Sequence, residues 1–135
     1  MSRLIKGHAG IGSGIVEGEA LVAKDNFSAR YDLDLKTGRF SRPSHKLYGE
    51  SFSGRIIVLD IAKGGVASAW MLHVLMSGTH RPKALLLNSA NPIMAQGASF
   101  GRMPLIDRFE DDVTTVIKTG DWLRLNPSAG TVEVV

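Results

Sequence analysis

The sequence predicts an α/β fold in which mixed β-sheet layers pack with two central helices. Two short apolar runs, residues 55–60 and 83–88, are typical of strands that are covered on both faces of a sheet. The segment between them, residues 66–76, is apolar nearly all round, which predicts a helix packed into the core. This order of strand, helix and strand predicts a crossover connection with parallel pairing.

The first part of the chain predicts one strand and one long loop. Residues 17–22 favour the first strand, and Gly18 would permit a bulge within it. Residues 24–54 contain several turn signals and no sustained periodicity. Long ordered loops inside small domains are often functional, so we expect part of a site in this segment.

The second half of the chain predicts a short helix followed by short strands. Asn91 and Pro92 indicate a helix start, because Asn caps free backbone N–H groups and Pro tolerates the first helical position. This helix is expected to end near Ser99. Four further short strands are predicted, the last two as a hairpin: residues 103–106, 114–117, 121–125 and 131–134.

Length and composition set the class of protein. A chain of 135 residues, of which 44% are hydrophobic and 21% charged, fits a single domain spanning residues 1–135. No apolar run approaches the length of a membrane span, so no membrane partner is expected. The start of the chain turns polar before a signal peptide could develop, which favours the cytoplasm.

Charge and cysteine content exclude several functions. Lysine and arginine are spread singly along the chain and alternate with acidic residues, whereas nucleic-acid binding needs a concentrated basic surface. The sequence has no cysteine, which excludes disulfides, a thiol nucleophile and thiolate-bound metal in this chain. His8, His45 and His80 lack the spacing of a metal site, so we predict no metal ligand here.

The segment Lys63-Gly64-Gly65 is the strongest candidate site. It joins a predicted strand to a predicted helix, and glycines there let an anionic group approach the N–H groups at the positive end of the helix. Lys63 adds a mobile positive charge. The alternative is a tight turn in which the glycines only permit the required backbone angles.

Two side chains of the predicted helix, Ser68 and His73, could carry chemistry. A hydroxyl at Ser68 could accept a proton if a neighbour lowered its pKa, although serines in helices commonly bond back to a helix carbonyl. His73 lies on an otherwise apolar helix, which favours a hydrogen-bonded core histidine over a catalyst.

The predicted loop carries a dense polar set: Ser28, Arg30, Tyr31, Asp32 and Asp34. Arg30 could hold a substrate carboxylate through two parallel hydrogen bonds. A solvated turn explains the same residues equally well.

Taken in order, these segments resemble the small subunit of aconitase X, a relative of the swivelling domain of aconitase. The resemblance covers nearly the whole chain and depends on the ordered combination of several short motifs. These motifs are residues 16–22, Asp34 with residues 37–39, residues 45–51, 54–59, 63–64, 81–84 and 92–98, Ile106, and residues 118–121.

The resemblance implies an aconitase-like swivel fold that docks on a large subunit carrying cysteine-held iron or an iron–sulfur cluster. Substrate would lie between the two chains, with the iron acting as a Lewis acid on a leaving hydroxyl. Activities of the family are dehydration of cis-3-hydroxy-L-proline in bacteria and of phosphomevalonate in archaea.

One departure from the family pattern concerns the proton acceptor. The family has a serine after the basic residue and glycine, and Gly65 stands in that place here. A glycine has no side chain to accept a proton, so Ser68 or a residue of the partner would have to substitute. The polar loop departs as well, since the family commonly has an aromatic residue and paired glycines where Arg30, Tyr31 and Asp32 stand.

The favoured hypothesis is a small subunit of a hydro-lyase that removes water from a small carboxylated hydroxy compound, with cis-3-hydroxy-L-proline as the preferred substrate. Lys63, Gly64 and Gly65 would bind the substrate anion, with Arg30 and His45 shaping its other side. The alternatives are a phosphomevalonate dehydratase small subunit and a non-catalytic swivel domain that binds a ligand or regulates.

Overall fold

Nine strands and three helices form the regular structure of residues 3–135, the part of the chain described by a computed structural model. The helices are α1 (Val66–Ser77), α2 (Pro92–Gly101) and α3 (Val113–Val116). The strands are β1 (Arg3–Lys6), β2 (Val16–Val22), β3 (Leu33–Asp34), β4 (Arg39–Phe40), β5 (Arg55–Ile61), β6 (Ala84–Ser89), β7 (Leu105–Ile106), β8 (Trp122–Asn126) and β9 (Thr131–Val134).

Seven strands form one mixed sheet in the order β1-β9-β8-β2-β5-β6-β7. The neighbours β2, β5, β6 and β7 are parallel, whereas β8 runs antiparallel to β2 and to β9. The pairing of β5 with β6 across α1 confirms the predicted crossover. The remaining strands, β3 and β4, form a separate two-stranded hairpin within the long loop.

Both faces of the central strands are buried, which confirms the prediction from their continuous apolar runs. Ile57 and Leu59 point to a core shared with α1 and α2. Ile56 and Val58, one residue out of phase, point to a second core with α3. Side chains of β1, β8 and β9 join this second core, so the fold is the predicted mixed α/β domain.

The two longer helices begin and end close to the predicted residues. Asn91 caps α2, with its Oδ1 accepting a hydrogen bond of 2.8 Å from the Met94 N–H. The two helices pack closely, because a Cβ on Gly97 would lie 2.7 Å from the Ala69 Cβ. No helix formed by residues 3–135 has the length and apolar character to cross a membrane.

Two predictions about secondary structure were wrong or incomplete. The segment predicted as a strand at residues 114–117 forms α3 instead, because Asp112 caps it. The Asp112 carboxylate accepts hydrogen bonds from the Thr114 N–H at 3.0 Å and from the Thr114 hydroxyl at 2.6 Å. Strand β1 precedes the strand predicted as the first, and its four residues pair with β9.

The Asp112 side chain also joins α3 to the rest of the sheet. It forms an ion pair with Lys24 and accepts a hydrogen bond of 2.8 Å from the Asn88 amide. The Lys24 ammonium, followed by the hydrogen bonds from Thr114 and Asn88, holds the pKa of the Asp112 carboxyl well below its ordinary value. The ionised form is therefore favoured by folding.

Replacing Asp112 with Asn should lower the free energy of unfolding in a pH-dependent way. Asn keeps the cap and loses the charge, so the wild-type advantage should be complete above the pKa of an unfolded aspartate, about 4, and shrink as the pH falls further. Urea denaturation of both proteins at pH values from about 7 down to about 3 measures this. A difference that does not change with pH would contradict it.

Candidate functional site

Four loops converge at one edge of the sheet. Because β2, β5, β6 and β7 are parallel, the segments that follow them leave from the same edge. Ligands of open α/β sheets bind outside the carboxyl ends of the strands. This edge therefore holds the predicted cradle, Lys63–Gly65, together with loop residues that follow the other three strands.

The cradle residues are exposed, and no side chain caps the N–H groups at the start of α1 that follow them. Gly64 has a φ of +104°, a conformation that favours glycine, and it turns the chain from β5 into α1. Helices α2 and α3 begin with capping side chains, whereas α1 begins at Gly65 with none. The first N–H groups of α1 therefore point outward beside Lys63, as a site for an anion requires.

Backbone hydrogen bonds attach the polar loop to the cradle. The Phe27 N–H donates to the Ile61 carbonyl at 2.9 Å, and the Lys63 N–H donates to the Phe27 carbonyl at 2.8 Å. Arg30, three residues later, is exposed, and its guanidinium lies 5.2 Å from the centre of the Tyr31 ring. Within the described residues Arg30 forms no ion pair, so it is an available cation in the loop that is hydrogen-bonded to the cradle.

Ser68 lies beneath the cradle instead of facing it. Its side chain is buried, and a Cβ on Gly64 would approach the Ser68 Oγ to 2.3 Å. The Ser68 hydroxyl is 3.5 Å from the Ser28 hydroxyl. The geometry therefore makes Ser68 a support for the Gly64 turn, and direct contact with a bound substrate would need the turn to move.

His45 does not face the substrate side as the sequence suggested. Its ring is buried, with Nε2 at 2.8 Å from the Asn26 carbonyl oxygen and Nδ1 accepting a hydrogen bond of 3.0 Å from the Leu47 N–H. Both ring nitrogens are therefore occupied by the loop itself. His45 orders the loop, so any part it has in shaping the substrate side would be exerted through the loop.

Asp32 completes the internal support of the loop. Its fully buried carboxylate accepts hydrogen bonds from the Arg42 Nε at 2.5 Å and from the Ser28 N–H at 2.7 Å. A buried charge is stable only when it is paired and hydrogen-bonded in this way. The polar loop is therefore more than a solvated turn, because its acidic residue fixes the position of Ser28 next to the cradle.

The prediction that His73 is a core histidine was wrong. It is half-buried on the outer face of α1, where its ring lies 5.0 Å from Trp70 and 4.8 Å from Phe100, measured between ring centres. Helix α1 is apolar on its outer face as well as on its inner face, so the sequence alone did not indicate on which face His73 lies.

Sequence reasoning missed Arg108, which follows β7 at the same edge. Arg108 lines a cavity of about 280 Å³ together with Gly10, Asn91 and Asp107. Its φ is +55°, and its Nε lies 3.4 Å from an Asp107 carboxylate oxygen. The only sequence signal was a basic residue just after a short buried strand, which is common in surface loops.

A metal centre within this chain is not supported by its residues. The sequence contains no cysteine, and residues 3–135 contain no group of three or more histidine, aspartate or glutamate side chains that could hold a metal ion. The donor set that iron clusters require is therefore missing from this chain.

The mixed sheet, the helices packed on its faces and the loops that converge at its carboxyl edge define an α/β domain of the kind whose ligands bind at that edge. A family model described as the aconitase X swivel domain matches residues 5–134. The chain belongs to the aconitase X swivel domain family.

Similar proteins agree with this family. The phosphomevalonate dehydratase small subunit of Methanococcoides burtonii is 33% identical over 93% of this chain and 91% of the relative. The protein of the same name from Pyrococcus horikoshii is 34% identical over 93% of this chain and 92% of the relative. A crystal structure of Thermococcus kodakaraensis aconitase X matches with a TM-score of 0.90 and 28% identity, over 98% of both chains.

Alanine substitutions at the two cradle glycines should destabilise the protein to different extents. Alanine at Gly64 would combine an unfavourable φ with a collision at Ser68, so we expect a loss of at least about 1 kcal/mol in the free energy of unfolding. Alanine at Gly65 would meet no atom within 4 Å and would lose only the preference for glycine over alanine at a helix N-cap, so its cost should be smaller, about 0.5 kcal/mol. Urea denaturation compares the two, and equal effects would contradict this geometry.

Proposed function

We propose that this chain is the small subunit of an aconitase X-type hydro-lyase that removes water from phosphomevalonate and is active only with a large subunit. The proposal is carried by the two relatives described above, which are both named phosphomevalonate dehydratase small subunit and match along nearly the whole chain. These relatives favour phosphomevalonate over cis-3-hydroxy-L-proline, the substrate preferred from sequence alone. The cradle geometry supports an acidic substrate of this kind.

The cradle would bind the carboxylate of the substrate. The uncapped N–H groups at the start of α1 offer several donors to one anionic group, and Lys63 adds a full positive charge beside them. Arg30 would add a second positive charge near the substrate carboxylate. It lies three residues after Phe27, whose carbonyl is hydrogen-bonded to the Lys63 N–H of the cradle. These groups bind and orient the substrate without exchanging protons with it.

Arg108 would bind the phosphate at the other end of the substrate. Strands β5 and β7 are separated by β6, which places their ends about 10 Å apart at the usual strand spacing. Phosphomevalonate carries its carboxylate and phosphate at opposite ends of a short carbon chain, roughly 8 Å apart from bond lengths of about 1.5 Å. The substrate can therefore reach from the cradle to Arg108.

We place the iron and the proton acceptor on the large subunit. Iron would supply Lewis-acid chemistry at the leaving hydroxyl. This chain has no cysteine to hold it, Gly65 has no side chain, and the Ser68 hydroxyl is buried beneath Gly64. Its own contribution is therefore binding, orientation and closure over the substrate.

Co-expression with a large aconitase X subunit tests the function. The purified complex, loaded with iron under reducing and oxygen-free conditions, should dehydrate phosphomevalonate, with turnover followed by mass spectrometry. cis-3-Hydroxy-L-proline serves as the competing substrate. Preference for hydroxyproline would overturn the substrate assignment, and a complex that binds phosphomevalonate without turnover would favour a non-catalytic binding domain.

Substitutions of Lys63 and Arg108 should have different effects on the KM values of the same complex. Lys63→Ala should raise the KM for phosphomevalonate and for unphosphorylated mevalonate alike. Arg108→Ala should raise the KM for phosphomevalonate alone, by about 10- to 100-fold for the loss of charged hydrogen bonds.

Matched controls exist for both variants. Lys83 lies at the opposite edge of the sheet, before β6, and Arg102 has a φ of +60°, like Arg108, but lies at the far end of α2. Lys83→Ala and Arg102→Ala should leave both KM values unchanged. An Arg108→Ala enzyme that still discriminates between the phosphorylated and unphosphorylated compounds would remove Arg108 from the phosphate site.

A further inference from the structure

The outer face of helices α1 and α2 has the composition of a buried surface. Neither helix contains an aspartate, glutamate, lysine or arginine, although such residues make up 21% of the chain. The helices nevertheless expose five large apolar side chains, which we call the apolar face: Val66, Trp70, Val74, Ile93 and Phe100. Helices that face solvent normally carry charged residues on the outer side.

The apolar face is also shaped to receive a partner. A groove of about 310 Å³ runs between the helices, with Ala69 and Gly97 on its floor and Gln96 as its polar lining residue. The rings of Trp70 and Phe100 lie 5.8 Å apart at one side of the groove. Aromatic residues clustered around a groove are typical of the centres of protein interfaces.

We infer that the apolar face docks onto the large subunit. This inference rests on the proposed function, and it adds the surface through which the two chains meet. Val66 follows Gly65 directly, so the apolar face is continuous with the cradle. A chain that covers the cradle and encloses substrate there must also cover the start of the groove.

The area of the apolar face favours the large subunit over a second copy of this chain. Its five side chains expose on the order of 500 Å² in total, given the size of large apolar side chains. A stable interface buries about 800 Å² on each partner. Two copies joined through this face alone would fall short of that area, whereas a partner that also covers the charged cradle and loop would reach it.

The charges around the face are arranged as an interface requires. Lys63 lies in the cradle, three residues before Val66, and Arg30 lies in the loop that is hydrogen-bonded to the cradle; both are exposed. An apolar centre with a polar rim is the usual anatomy of an interface between two chains. The large subunit should therefore present apolar side chains opposite the groove and acidic groups or the bound substrate opposite the rim.

Lysine substitutions on and off the face test the inference. Phe100 and Leu4 are almost equally exposed, at 62% and 60%, but Leu4 lies on the edge strand β1. Phe100→Lys and Trp70→Lys should weaken binding of the large subunit at least 100-fold by titration calorimetry. Leu4→Lys should stay within threefold of wild type. Circular dichroism and thermal melting verify that each variant is folded before binding is measured.

The outcomes separate this inference from the proposed function. If the wild-type chain does not bind a large subunit, the proposed function fails and the docking surface fails with it. If wild type binds and both variants on the face bind equally well, the docking surface alone is overturned. A stable dimer of the isolated chain that Phe100→Lys dissociates would assign the face to a second copy instead.

Discussion

The site depends on the parallel alignment of β2, β5, β6 and β7. Each of these strands must end at the same edge, because parallel neighbours joined by crossovers share one direction. The cradle after β5, the helix start after β6, Arg108 after β7 and the loop after β2 are far apart in sequence and meet only for this reason. Each of these four strands therefore positions one part of the candidate site.

A buried charge network gives the site its second support. Asp32 is fully buried and is held by Arg42 and by the Ser28 backbone, while His45 uses both ring nitrogens within the same loop. The loop of residues 24–54 therefore has a defined shape despite its lack of long strands. Because the Lys63 N–H donates a hydrogen bond to the Phe27 carbonyl, the ordered loop also fixes the position of the cradle. Polar residues of this loop therefore include internal supports, such as Asp32 and His45, and exposed cations, of which Arg30 is one.

The chain combines an exposed, uncapped helix start with an uncharged, apolar helical face. It leaves the start of α1 without a cap, lacks a side chain at Gly65 and lacks the cysteines that hold iron. Its two longer helices carry no charge and expose apolar side chains next to the cradle. Under the proposed function, these features form one half of a site that a large subunit completes.

The sequence by itself determined the central strands, the two longer helices and the glycine turn between β5 and α1, because continuous apolar runs, glycine pairs and an Asn-Pro helix start act through local geometry. It also determined the absence of cysteine. The tertiary structure decided which polar residues are exposed: Arg30 and Arg108 are exposed at the shared edge, whereas His45, Ser68 and Asp32 are buried in supporting contacts. It also decided that residues 113–116 form a helix, through the cap at Asp112. Burial and pairing depend on contacts between distant segments, which local patterns do not encode.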